Sequence, residues 1–153
     1  RISGMIRELA GTRFFFPVAA RDQGWLDPAD NVYFYRDAPG ARFSLDAARG
    51  VAPVRTETAA SLQLAAFLGF NPIYLIGCDL SYAAVPGRAD HFHPDYLRGG
   101  TRWRVPDVEG MREDYRAARR ALEAAGVAVY NATLAGRLEE FPRVAYASLF
   151  RSM

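Results

Sequence analysis

The chain has 153 residues, 50% of them hydrophobic and 24% charged, with a formal net charge of +2. That length suits one domain burying roughly 68–70% of its unfolded surface, and the composition is that of an ordinary soluble globular protein. So small a net charge gives no reason to expect nucleic acid. No apolar run nears the roughly 20 residues of a membrane span, and the single Cys78, which excludes an internal disulfide, fits a reduced, cytoplasmic setting.

In chain order, residues 1–12 read as a short amphipathic helix, with Met5, Ile6 and Leu9 on one side and Gly11 after its end. Residues 13–16, with three consecutive phenylalanines, read as a strand stopped by Pro17. A polar stretch with Gly24 and the Asp27-Pro28 turn signal follows, and then Val32-Tyr33-Phe34-Tyr35, a strand by β-propensity. Pro39, Gly40, Gly50 and Pro53 mark residues 37–53 as a loop holding at most a short strand at 42–45.

Residues 56–82 form the centre of the reading. From Ala59 to Phe67 only Ser61 and Gln63 interrupt the apolar run, which is too apolar for a helix with one wet face. Thr56 or Thr58 caps its start, Gly69 supplies a left-handed close, and Asn71-Pro72 forbids continuation. Ile73-Tyr74-Leu75-Ile76 then reads as a parallel strand covered on both faces, running into Gly77, Asp79, Ser81 and Tyr82.

Residues 83–106 make a long loop carrying both histidines, a length typical of active-site lids and binding loops. Met111, Tyr115, Ala118, Leu122 and Ala125 repeat at helical spacing up to Gly126. Residues 127–130 are another short buried strand, with Asn131 and Thr133 at its carboxyl end. Residues 144–150 read as a last strand or a docking tail. Alternating helices and strands with tight glycine breaks argue for an α/β chain. The expectation is a Rossmann-like, mostly parallel sheet with helices on both faces, as one domain over 1–153.

In such sheets ligands bind beyond the carboxyl ends of the strands. Thr56/Thr58, Asp79/Ser81/Tyr82 and Asn131/Thr133 are therefore expected to converge on one crevice. Each has a plainer reading: Thr56 or Thr58 as a helix cap, Asn131 as a turn residue, Asp79 as an acceptor for the following turn. His91 and His93 either order their loop, bind metal with Asp90 or Asp95, or supply a general base; no metal site is assigned. The chain lacks Gly-x-Gly-x-x-Gly, and with no lysine it has no Walker-type phosphate loop. All 19 basic residues are arginine, which reflects either GC-rich coding or anion binding by guanidinium forks.

The segments TETAASLQLAAFLGFNPIYLIGCDLSY, DHFHPDY and YNATLAGRLEEFPRV, taken in order, resemble the 6-hydroxymethylpterin diphosphokinase-like family of bacterial envelope-polysaccharide loci. They are also similar to the bacterial CMP-sialic-acid-dependent α-2,3-sialyltransferases. The resemblance spans residues 56–144. It implies a Rossmann-like transferase that takes a nucleotide-sugar donor and a glycan acceptor, with no essential cofactor. Thr56 falls where those enzymes contact the nucleotide, and Asp79 matches the acidic residue closing the central strand. Ser81 falls where they place a tyrosine that helps the phosphate leave, with Tyr82 one position on. The resemblance makes His91 or His93 the catalytic base, with His91 favoured by the Asp-His-Phe run.

The families' opening strand and Asn-Gly-Pro-Ser-type phosphate loop have no counterpart here. The expectation is therefore a domain lacking its N-terminal nucleotide-binding βα unit. A Mg-ATP-dependent diphosphokinase acting on a pterin-like alcohol stays open, with Asp79 and Asp90 or Asp95 holding the Mg²⁺. So does a non-catalytic nucleotide- or glycan-binding domain. Self-association into a homo-oligomer is compatible with any of the three.

Overall fold

A computed structural model of the chain describes residues 2–9, 11–82 and 106–150. The chain mixes helices with short parallel two-stranded sheets and divides into two compact units, residues 1–69 and 70–153. No helix among the described residues is long and apolar enough to cross a membrane.

The first unit contains helix α1 (Ile2–Glu8), strand β1 (Phe14–Pro17), helix α2 (Val18–Asp22), strand β2 (Val32–Tyr35) and helix α3 (Glu57–Phe67). β1 and β2 pair in parallel, with Phe14 opposite Val32 and Pro17 opposite Tyr35. Pro17 thus ends the strand from inside it and is at the same time the N-cap position of α2. The alternation of β-strand side chains puts Phe14 and Phe16 on one face. There they pack against the buried Ile6, Leu26 and Val32. On the other face the Phe15 and Tyr33 rings stack at 5.3 Å. Asn31 donates from Nδ2 to the Ile6 and Leu9 carbonyls at 3.0 and 3.2 Å, a second bond to acceptors that already take the Leu9 and Thr12 N–H groups, and so fixes the end of α1.

The loop after β2 contains no strand at 42–45. The Ser44 N–H donates instead to Gln63 Oε1, at 2.8 Å. Gln63 is fully buried on α3 and also accepts the Ala52 N–H at 2.8 Å, while its Nε2 donates to the Ala52 carbonyl at 3.1 Å. One side-chain amide therefore closes a loop that lies 11 to 19 residues before it. Thr56 caps α3, its Oγ1 accepting the Ala59 N–H at 3.1 Å, and Gly69 (φ 84°) follows the helix in the left-handed region. Burial along α3 is deep at Ala59, Leu62 and Gln63, while Phe67 is 44% exposed, so the helix is covered less completely than its apolarity predicts.

The second unit contains strand β3 (Ile73–Leu75), helix α4 (Val108–Ala124), strand β4 (Val129–Asn131) and a 3₁₀ turn over Tyr146–Phe150. β3 and β4 are parallel and in register, Ile73 against Val129 and Leu75 against Asn131. Parallel neighbours need a crossover, and α4 lies on it. The Asn71 side chain adds a rung ahead of the ladder, donating to the Gly126 carbonyl and accepting the Ala128 N–H, both at 3.0 Å.

Asp107 caps α4 through the Gly110 N–H at 3.0 Å. Tyr115, Ala118 and Leu122 form its buried stripe, and Tyr115 meets Phe141 edge-on with centroids 6.0 Å apart. Leu75 is buried in β3, but Tyr74 and Ile76 are 41% and 61% exposed. The two-face cover predicted for this strand is absent among the described residues because its described sheet has only two strands. Residues 144–150, predicted as a last strand or docking tail, form no strand: an isolated bridge pairs Asn131 with Arg143 just before them, and Tyr146–Phe150 take 3₁₀ geometry.

Candidate functional site

β3 and β4 both point their carboxyl ends at one cavity of about 580 Å³, within the roughly 300–1,000 Å³ of small-molecule sites. One wall is the turn after β3, with Ile76, Gly77, Asp79 and Ser81. The opposite wall is the turn after β4, residues 132–136, and Tyr146 of the 3₁₀ turn completes the lining.

The β3 turn is sharp. Gly77 has φ 72°, and Leu80 holds φ 53° while its side chain is 7% exposed. A left-handed leucine costs on the order of 1–2 kcal/mol, here offset by burial of its side chain. The turn is closed by Asp79 Oδ1, which accepts the Ser81 N–H at 3.0 Å, while Ser81 Oγ donates to the Asp79 carbonyl at 3.3 Å. A carboxylate has acceptor capacity on both oxygens, and the turn bond to Ser81 uses Oδ1.

The β4 turn is tied to it by one side-chain and one backbone acceptor. The Cys78 N–H donates to Thr133 Oγ1 at 3.0 Å, and the Arg137 N–H donates to the Asp79 carbonyl at 2.5 Å. Gly136 (φ 105°) sits so close that an added Cβ would fall inside 3.0 Å of the Asp79 carbonyl oxygen, Cα and Cβ. Behind this wall Asn131 is fully buried, donating from Nδ2 to the Leu138 carbonyl and accepting the Thr133 N–H, both at 3.0 Å. From outside, the Arg143 guanidinium donates to the carbonyls of Thr133, Ala135 and Gly136 at 2.9, 3.1 and 3.1 Å.

Asp79, Ser81 and Thr133 are therefore brought together around one cavity. Asn131 stands behind the wall as its brace, the turn reading of that residue. Tyr82 is one residue past the lining and 38% exposed. Thr56 and Thr58 belong to the first unit, where Thr56 acts as the cap. His91 and His93, with Asp90 and Asp95, lie outside the described residues. Among the described residues no three His, Cys, Asp or Glu side chains form a metal-holding group.

Sequence reasoning did not single out the lining residues Leu134, Ala135, Gly136 and Tyr146, nor Arg143 outside them. Only Gly136 carried a signal, a glycine shortly after a strand end, where a close backbone approach is common.

A second concavity, about 380 Å³, is lined by Arg112, Arg116, Arg119 and Arg120 together with Glu123, Glu139 and Glu140. Three of its arginines are engaged by the chain itself. Arg112 pairs with the nearly buried Glu140 at 2.9 Å and also donates to the Arg137 carbonyl at 2.7 Å. Arg119 pairs with Glu123 at 2.7 Å, and Arg116 with Glu109 at 2.8 Å, a hydrogen bond that raises the already high Arg116 pKa.

Compared with protein-family models, with curated proteins and with solved structures, the chain matches none.

Proposed function

We propose that the chain is a nucleotide-sugar-dependent glycosyltransferase domain of cell-envelope glycan synthesis, Rossmann-like in architecture, with its donor nucleotide at the carboxyl edge of β3 and β4. The observation that carries this reading is the cavity at that edge, with Asp79, Ser81 and Thr133 on its walls. Nucleotides favour this position in parallel α/β sheets, and the resemblance of residues 56–144 to sialyltransferase-like enzymes supports the same assignment.

In the reaction the acceptor hydroxyl oxygen attacks the anomeric carbon, and the bond from that carbon to the phosphate oxygen breaks. The acceptor's proton passes to His91, and the nucleotide leaves with the bonding pair. Tyr82 assists the departing phosphate by donating from its hydroxyl. Donors aimed at charge that develops in the transition state supply such stabilisation without a metal. Asn131 contributes through the loop it holds.

The test is a thermal-shift series on the full chain with CMP, UDP, GDP and ATP, each with and without Mg²⁺. A sugar-nucleotide product is expected to raise Tm without metal, since at 100 times its Kd a ligand bound only to the folded state stabilises it by about 2.7 kcal/mol. His91→Ala is expected to keep that shift and abolish sugar transfer. A shift with Mg-ATP alone would replace this reading with the diphosphokinase. No shift with any nucleotide would favour a glycan-binding domain without catalysis.

A further inference from the structure

The walls of the cavity are chemically unequal. Ile76, Leu134 and Tyr146 are 61%, 95% and 43% exposed, large apolar surfaces left open to solvent at the lining. Among them stand one carboxylate, Asp79, and the hydroxyls of Ser81 and Thr133. A carboxylate accepts from hydroxyl groups and repels a phosphate brought to the same place.

An aromatic ring beside apolar side chains offers a planar base a stacking surface that needs no particular hydrogen-bond pattern. The Tyr146 ring meets Phe150 edge-on, centroids 5.1 Å apart. Tyr146 follows closely on Arg143, whose guanidinium fixes the opposing loop through three carbonyls. The ring and the Leu134 wall are thus set by one short segment.

We infer that this cavity takes the nucleoside half of the nucleotide, with the base against Tyr146 and the ribose hydroxyls toward Asp79, and the phosphate outside its walls. Tyr146 is then a binding residue that decides affinity through the base. The inference rests on the nucleotide reading above and adds to it which half of the ligand enters and which side chain meets it.

The experiment is calorimetric titration of the full chain with CMP, UMP, GMP and AMP, with the four parent nucleosides, and with ribose 5-phosphate, repeated on Tyr146→Ala and Tyr146→Phe. The best monophosphate is expected to lose at least fivefold in affinity in Tyr146→Ala and to keep it within twofold in Tyr146→Phe. Its nucleoside is expected to bind within about tenfold of it, and ribose 5-phosphate not to compete. Should Tyr146→Ala fail to fold, Leu134→Asp takes its place, since that side chain is 95% exposed, with the same fivefold loss expected.

Ribose 5-phosphate competing as well as the monophosphate, with nucleosides silent, would overturn the inference while leaving the nucleotide function standing. Unchanged affinity in both Tyr146→Ala and Leu134→Asp would do the same. No binding of any monophosphate would remove both.

Discussion

The two units use the same device for different ends. Each centres on a two-stranded parallel sheet, and each buries one side-chain amide completely, Gln63 in the first and Asn131 in the second. Gln63 draws the 44–52 loop onto α3. Asn131 turns the chain after β4 and holds a loop away from the strand ends, and a cavity of about 580 Å³ stands beyond it. A buried amide is costly to leave unpaired in either place. The difference lies in where the captured backbone goes: folded back in one unit, held apart in the other.

Removing the amides separates these ends. Gln63→Leu strands the Ser44 and Ala52 N–H groups and the Ala52 carbonyl, with an expected loss of about 3–5 kcal/mol by urea unfolding. Asn131→Leu strands the Leu138 carbonyl and the Thr133 N–H, so about 2–4 kcal/mol is expected, together with loss of nucleotide binding in the protein that remains folded. Equal binding by the Asn131→Leu protein and wild type would erase the distinction between the two amides.

Gly136→Ala sharpens it further. A Cβ there meets Asp79 backbone, and φ 105° is unfavourable for alanine, so about 2–4 kcal/mol is expected along with displacement of the β3 turn. Arg143→Met is milder for the fold, at about 1 kcal/mol, because its side chain lies at the surface and the freed carbonyls can turn to water. It should still weaken nucleotide binding, read by the same titration.

The smallest effect belongs to the first unit. Burial, and then the neighbouring Glu57 and Asp37 charges, raise the Tyr35 pKa above its ordinary 10.0. The folded state therefore holds that proton more tightly than the unfolded chain. The resulting stability is fully present below pH 10 and falls away as pH rises through the raised value. Stability measured from pH 8 to 11 should drop more steeply in wild type than in Tyr35→Phe, and parallel curves would refute the assignment.

What the sequence made legible follows local rules. The Thr56 cap, the left-handed Gly69 and the stripe through Tyr115, Ala118 and Leu122 were readable because each is decided within a few residues. Asp79, Ser81 and Thr133 were readable as site candidates because parallel strands align their carboxyl ends. Gln63 read as a polar break in an apolar helix, since its partners arrive from a loop 11 to 19 residues away. Arg143 gave no signal. Its acceptors are backbone carbonyls, which every residue possesses, so nothing in composition or spacing marks them. Tyr146 was hidden likewise, because a tail read as strand or docking segment gives no direction for its ring.

The Arg143 clamp has a further consequence, for how this site can diverge. It grips the β4 turn by carbonyl oxygens alone, so the path of that turn does not depend on the side chains it carries at 134 and 135. Leu134, 95% exposed, can be exchanged for almost any residue while the wall keeps its course. The chemistry of this wall is thus free to drift by single substitutions that leave folding untouched, and the same two positions are where a designer would begin a library.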